Sequence, residues 1–322
     1  MIKNLYDQFQ LLSSLTNNEV GRYSSKRINT LSHRIGKNNL GEAVILFDIK
    51  NSSETLDGLN TKNLELNFNQ KCILHEENDD IEKKFTILKC KLTGTSSLVI
   101  FFEVIETLFN NLSDNPTDVE IIKYISDIMD LFSKMKSGSK NNLYGLWGEL
   151  LLISNAVNKD ELVKAWHTNS TDQYDFMHFN EIIEVKTTIL NSRKHNFSFN
   201  QLSVGESNLY ISSIKIQETG EEGVSIADFQ NQINSELIEN KLIIKLDILI
   251  KKILGTDYAN LIRVKFDEKY AKNNIKFFDS RDIPKITSQP DQVSQIEFVS
   301  DLSQCKSIET NNKSKLISMI KI

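Results

Sequence analysis

The sequence predicts a mixed α+β / α/β chain with an N-terminal α+β unit, a central core and a C-terminal helix-strand extension, and three observations carry that prediction. Apolar and polar residues alternate on both sides of Phe179-Asn180 within Asp172–Lys186, the pattern of two half-buried strands joined by a tight turn. Ile121, Ile122, Ile125, Ile128, Met129, Phe132 and Met135 recur at helical spacing and form one apolar stripe. Between Leu143 and Ile216 the segments run helix, strand, strand, strand, helix, strand.

Residues 1–136 make the first domain. Ala43–Ile49 reads as a strand, Asn63–Phe68 alternates, and Phe85–Leu92 and Ser97–Val104 are apolar enough for two more. Arg22, Lys26, Arg27, His33 and Arg34 make its start locally basic; a solvated face accounts for this, with phosphate contact as the functional alternative. The striped helix follows, with Asn115 as its cap, Pro116 at the first helical position and Asp118 and Glu120 in the first turn. Lys134 and Lys136 suit its C-terminus, and Ser137–Asn142 breaks it, which puts a domain boundary there.

The core spans 143–216. Leu143–Val157 is a helix, Glu161–His167 a strand carrying Val163 and Trp166, and the hairpin's second strand runs Glu181–Leu190. Asn191–Lys194 is a basic turn, and His195 beside it is expected in solvent. Ser198-Phe199-Asn200-Gln201 has the form of a capping box opening a short helix that Gly205 closes, and Leu209–Ile216 is a further strand. In the extension, 217–322, Ile226–Leu237 and Lys241–Leu254 read as helices. Leu261–Phe266, Ile275–Phe278 and Ile296–Leu302 read as strands.

Composition narrows the function classes. A net charge of −5, from 43 acidic residues against 38 Lys and Arg, argues against a surface coated in basic charge, though not against a local basic groove. Cys72, Cys90 and Cys305 are odd in number and widely spaced, which suggests reduced thiols of a cytoplasmic protein rather than a disulfide framework or zinc site. The N-terminus begins no signal peptide and no apolar run is long enough to span a membrane. A Gly-x₄-Gly-Lys-Ser/Thr loop is missing, so any NTP-driven step would belong to a partner.

The chemistry concentrates on the hairpin. With Phe179-Asn180 as a two-residue loop, His178 faces Glu181 and Asp175 falls opposite Glu184, with Lys186 two residues along on the same face. Opposed carboxylates repel, and a divalent cation removes the repulsion. Mg²⁺ favours one or two carboxylates, waters and phosphate oxygens, and a neighbouring ammonium could orient or deprotonate the attacking water. That is the layout of metal-assisted phosphodiester hydrolysis. Acid-any-Lys occurs five times, at Asp48, Glu82, Glu184, Glu239 and Asp267, but only Glu184 has an opposed Asp. Glu149 is the odd charge of its helix: Gly145, Leu146, Leu152 and Ile153 occupy the neighbouring turns, so no basic residue of the helix pairs with it. A solvent-facing edge would also explain it.

Gly145-Leu146-Trp147-Gly148-Glu149-Leu150, Tyr174-Asp175-Phe176, Glu184-Val185-Lys186 and Phe197-Ser198-Phe199-Asn200-Gln201-Leu202, in that order, resemble the motifs of a bacterial family in the PD-(D/E)XK nuclease superfamily. That family is associated with restriction-type defence gene clusters. Tyr174 stands where the eponymous Pro would be. The resemblance implies a restriction-endonuclease-like α-β-β-β-α-β core and a Mg²⁺-dependent endonuclease, with Mn²⁺ as a substitute. By position, Asp175 and Glu184 would be metal ligands, with the Val185 carbonyl and Glu149 as further ones. Lys186 would position or activate water. Gln201 would orient the lysine or the scissile phosphate, although a capping box accounts for it equally well. DNA is the expected partner, together with other defence subunits including an NTPase; a homodimer is compatible and a membrane is not implied. A non-cleaving nucleic-acid-binding or scaffolding subunit, and an RNA-directed nuclease, stay open as alternatives.

Overall fold

A computed structural model describes residues 2–14, 21–28, 31–49, 56–76, 79–92, 94–113, 116–134, 139–167, 173–202, 207–308 and 314–321. The chain divides into two units, Met1–Lys136 with Ile243–Lys252, and Ser137–Leu242 with Ile253–Ile322.

The first unit contains α1 (Leu5–Gln10), β1 (Arg22–Arg27), β2 (Arg34–Lys37), β3 (Ala43–Phe47), β4 (Leu59–Asn60), β5 (Leu64–Glu76), β6 (Asp79–Cys90), α2 (Thr95–Asn111) and α3 (Asp118–Lys134). Its strands are ordered β1-β2-β3-β6-β5-β4, and β1 also pairs in parallel with β5. Five strands therefore close on themselves, which removes their open edges. Val44, Leu46, Cys72, Leu74, Phe85 and Ile87 form one apolar cluster on them. Burial pushes the Cys72 and Cys90 thiols up to about 12, and the three cysteines are free.

Three expectations for this unit are corrected. Ser97–Val104 is not a strand but the first half of α2, which buries Ile100, Phe101, Phe102, Val104, Ile105, Leu108 and Phe109. A short run apolar on every side has no period that separates a buried strand from a buried helix. The striped helix starts at Asp118, where Thr117 and Glu120 form a reciprocal cap. Asn115 lies outside the described residues, as do residues 135–138. The basic start is a solvated face only in part: Lys26 and Arg27 are exposed, whereas Arg22 pairs with Asp80 and His33 and Arg34 are buried. His33 Nδ1 accepts the Asp48 amide at 3.0 Å, and burial lowers this imidazole to about 4.

The second unit opens with α4 (Lys140–Ser154), capped by Ser139. It continues with α5 (Lys159–Ala165), β7 (Phe176–His178), β8 (Glu181–Thr188), β9 (Lys194–Ser198), a 3-10 turn (Asn200–Leu202), β10 (Asn208–Lys215), β11 (Glu218–Thr219) and β12 (Val224–Ser225). Then come α6 (Ile226–Glu236), α7 (Asn240–Leu254, of which Ile243–Lys252 belongs to the first unit), α8 (Tyr258–Leu261), β13 (Lys265–Phe266), α9 (Glu268–Asn273), β14 (Ile275–Asp279), β15 (Glu297–Asp301) and α10 (Lys315–Ser318).

The central sheet is ordered β14-β10-β8-β7, with β8 and β10 parallel. Helix α4 packs on β8 through Gly148: a Cβ there would stand 2.3 Å from Thr187 Oγ1 and 3.3 Å from Val185 Cγ1. Trp147, next to it, packs against Phe229 and Phe266 and donates Nε1 to the Val224 carbonyl at 2.8 Å. Under β9 and the 3-10 turn, Ile182, Phe197, Leu202, Leu209, Ile211 and Phe278 belong to a second apolar cluster.

Here too the structure corrects several expectations. Glu161–His167 is not a strand: Lys159–Ala165 is helical, because the Asn158 side chain accepts the Glu161 amide and Asp160 and Glu161 fill the first turn. Only Trp166 is sheet-like, in an isolated bridge with Phe176. The basic turn ends in β9, which pairs with β15 rather than with the hairpin. His195 is therefore buried, its Nε2 2.7 Å from Ser213 Oγ, and burial assisted by Lys186 and Arg193 lowers it to about 4. Leu261–Phe266 is mostly the end of α8 and a connection, with strand pairing confined to Lys265 and Phe266. Gly205 lies outside the described residues.

Candidate metal centre

The hairpin register is the one the alternation predicts: His178 pairs with Glu181, Met177 with Ile182 and Phe176 with Ile183. One step beyond stand Asp175 and Glu184. The turn is held with Phe179 at a positive φ of 51°. Strand β7 stops at Phe176, so the Val185 amide has no backbone acceptor on that side. Asp175 Oδ2 takes its place, accepting the Val185 N–H at 2.6 Å.

Glu184 is buried, in the middle of β8. Its Oε1 accepts from Lys186 Nζ at 2.9 Å and from Gln201 Nε2 at 3.0 Å. The Lys186 ammonium also lies over the Phe197 ring, 5.1 Å from its centroid. Gln201 has two jobs, since its Oε1 accepts the Ser198 amide at 3.0 Å while Ser198 Oγ accepts the Gln201 amide at 3.2 Å. The capping box and the contact to Glu184 are one side chain. Tyr174 leans over the same region, where burial and the Glu184 charge raise its phenol to about 12.

Glu149 is no solvated edge. It is buried, and its Oε2 receives Trp166 Nε1 at 2.7 Å and lies 3.0 Å from His167 Nε2. His167 Nε2 is in turn 3.9 Å from Asp175 Oδ1. One donor atom from each of Glu149, His167 and Asp175 lies within 4.8 Å of the others. The helix offers Glu149 no partner, as its neighbours in sequence indicated; the partners come from the segment after α5. Sequence reasoning missed both. The available signal was the Trp166-His167 pair eight residues before Asp175, but a segment read as a strand gave no reason to turn either side chain toward Glu149.

Burial, with the charges of Glu184 and Glu149 added, holds the Asp175 carboxyl well above the usual carboxylate range, against the pull of the Val185 amide. Burial raises Glu184 as well, and Lys186 opposes it. Among the described residues, Glu184 Oε2 is buried with no hydrogen-bond partner. Two carboxyls that disfavour their own charge, one with an orphaned oxygen, fit a divalent cation: it supplies both the charge and the missing partner. Glu149, Asp175 and Glu184 are the residues that would hold it. Val185 contributes its amide to Asp175, and a strand residue's carbonyl points to the same side as its amide, toward that carboxylate.

A mixed α+β architecture with an acidic, lysine-bearing hairpin fits a PD-(D/E)XK-like fold, the class of metal-dependent nucleases. Residues 7–303 match the DUF4420 family, described as "Putative PD-(D/E)XK family member", and the chain belongs to that family. No curated protein and no solved structure matches it. The family description points to a nuclease. Among the described residues, no helix is long and apolar enough to cross a membrane.

Proposed function

We propose that the chain is a divalent-metal-dependent endonuclease that hydrolyses phosphodiester bonds of DNA, with Mg²⁺ or Mn²⁺ as its ion. The observation that carries this reading is the Lys186 ammonium bonded at 2.9 Å to Glu184, which stands with Asp175 one register step beyond the Phe176–Ile183 pair, away from the turn. A binding module has no use for such a set, because opposed buried carboxylates cost stability unless something is done with them. A bound divalent cation would neutralise charge on the attacked phosphate and lower the pKa of water.

The chain's own residues do the rest. Asp175, Glu184 and Glu149 hold the ion, with the Val185 carbonyl as a further ligand. Lys186, fixed between Glu184 and the Phe197 face, presents its ammonium to the attacking water or the phosphate. Gln201, donating with Lys186 to Glu184 Oε1, fixes the carboxylate so that its partnerless Oε2 would be left for the ion. The resemblance to families of restriction-type defence clusters extends the reading to a cytoplasmic defence complex whose NTPase is a separate subunit.

Lys186→Met tests it. Met keeps most of the aliphatic length, so folding and metal-dependent DNA binding should survive, while cleavage falls by about 10²–10⁴-fold, the usual worth of one positioned proton-transfer group. Thermal melts, gel shifts and timed cleavage of circular DNA, linear DNA and RNA, with Mg²⁺ or EDTA, make the comparison. A variant that melts and binds normally and cuts as fast as the parent would make Lys186 structural and the mechanism wrong. Binding without metal-dependent cleavage by the parent would favour a non-cleaving subunit, and cleavage of RNA alone would move the substrate class.

A further inference from the structure

We propose that His167 is a nitrogen ligand of this centre, and that the Glu149–His167–Asp175 set selects first-row transition-metal dications over Mg²⁺. The inference rests on the metal-dependent reading above and adds to it a residue outside the acid-and-lysine motif. The first support is spacing. Ligands on adjacent corners of an octahedron with bonds of about 2.1 Å stand about 3 Å apart. His167 Nε2 is 3.0 Å from Glu149 Oε2 and 3.9 Å from Asp175 Oδ1, so one edge is already at ligand spacing and the other needs less than a full bond length of closure.

The second support is how the backbone holds the ring there. His167 has φ 39°, a left-handed conformation uncommon for a side-chain-bearing residue. It follows Trp166, which is pinned to Phe176 in a bridge, and its own amide donates to the Asp175 carbonyl at 2.9 Å. Three constraints thus press this imidazole against Asp175. Backbone strain of this kind persists only where surrounding structure imposes it, and it concentrates at functional sites.

The third support is the outer contact. Trp166 Nε1 donates to Glu149 Oε2 at 2.7 Å, so that carboxylate stays oriented when His167 turns its Nε2 lone pair to a metal. The chemistry then sets the preference. Mg²⁺ takes oxygen donors and dehydrates reluctantly, whereas an imidazole nitrogen adds affinity for Mn²⁺, Co²⁺ and their heavier neighbours. If His167 were only a hydrogen-bond partner of Glu149, the centre would be all oxygen, and its preference among these ions would not depend on residue 167.

The test uses the full chain without DNA. Calorimetric titrations with Co²⁺, Mn²⁺ and Mg²⁺ are run on the parent, on His167→Asn and on His167→Gly, and pulsed EPR of the Mn²⁺-loaded proteins reads imidazole nitrogen coupling. Asn tolerates the left-handed backbone and keeps a donor toward Glu149, and Gly adopts it without a Cβ penalty, so the two variants cover a folding failure of either. The parent should bind Co²⁺ and Mn²⁺ more tightly than Mg²⁺, with a nitrogen signal. Both variants should lose the signal and about 10–100-fold in Co²⁺ and Mn²⁺ affinity, with Mg²⁺ affinity changing only about threefold. A parent that loads Mn²⁺ without nitrogen coupling, or folded variants with parental Co²⁺ affinity, would overturn the role of His167 and leave the metal-dependent reading standing. A parent that binds none of the three ions would overturn both.

Discussion

Gln201 Nε2 donates to Glu184 Oε1 at 3.0 Å while the same side chain's Oε1 accepts the Ser198 amide. One amide thereby ties the start of the 3-10 turn to the centre of β8, and its two contacts can be separated. Ser198→Ala removes only the hydroxyl of the cap, a loss of about 1 kcal/mol that should lower the melting temperature and leave cleavage unchanged. Gln201→Leu removes the reciprocal half of the cap and also strips a donor from Glu184. It should melt with a similar deficit but cut DNA about 10–100-fold more slowly, the usual cost of losing an outer-shell partner. Equal cleavage rates for the two variants would reduce Gln201 to a cap.

The raised carboxyls make a pH prediction with a definite sign. Asp175 and Glu184 both have folded pKa values above those of an unfolded chain, 3.8 and 4.5. Each therefore binds its proton more readily folded, and the stability this contributes is complete below the unfolded values and lost as pH rises through the folded ones. Through these two groups alone metal-free protein loses stability as pH climbs from about 4 toward neutral. Buried His33 and His195, lowered to about 4, add stability over the same window, so a variant of one carboxyl is needed to isolate the sign. Asp228, Asp279 and Glu65, whose carboxyls are lowered by hydrogen bonds and cations, act in the opposite sense at the acid end. Asp175→Asn keeps an acceptor for the Val185 amide and removes one raised group. It should be more stable than the parent at neutral pH without metal and should lose most of the stabilisation that added metal gives the parent. Parallel melting curves for the two proteins across the pH range, with and without metal, decide this; a parent whose metal-free stability rises toward neutral pH while the Asn variant tracks it would contradict the assignment.

Gly148 sets how closely α4 approaches the sheet. A Cβ at this position would meet Thr187 Oγ1 at 2.3 Å, and Thr187 Oγ1 is itself buried without a partner among the described residues. Gly148→Ala should cost about 1–3 kcal/mol by overpacking. Because Glu149 is the next residue, the shift of α4 should also weaken metal binding. Thr187→Ala deletes the clashing oxygen and an orphaned polar atom, so alone it should be neutral or stabilising. Combined with Gly148→Ala it should restore much of both stability and metal affinity. Additive losses in the double variant, read from denaturant melts, would mean that another contact sets the helix position.

How far the sequence reached follows from what is local. The period-two alternation and the two-residue turn at Phe179-Asn180 were enough for the hairpin register, because a slip of one residue would put Asp175 and Glu184 on opposite faces. The Ser198–Gln201 box was equally legible, since its contacts span three residues. Helix α3 was legible from its stripe, though its cap falls at Thr117, because two cap candidates two residues apart are indistinguishable without the fold. Glu149 could be singled out only as a charge with no partner on its own helix.

What met that charge was decided by tertiary structure. Trp166 and His167 reach Glu149 from 17 and 18 residues away, after a seven-residue helix whose composition reads equally well as a strand. Strand β9 is paired by β15, some hundred residues later, and its His195 is buried against Ser213 of β10. Periodicity states which side of an element is buried, and it carries no information on which distant side chain will cover that side. The carboxylates and lysine of the hairpin were therefore set by residues a few positions apart, whereas the nitrogen donor beside them, the orphaned oxygen of Glu184 and the raised carboxyls exist only once non-local packing has excluded water from that corner of the sheet.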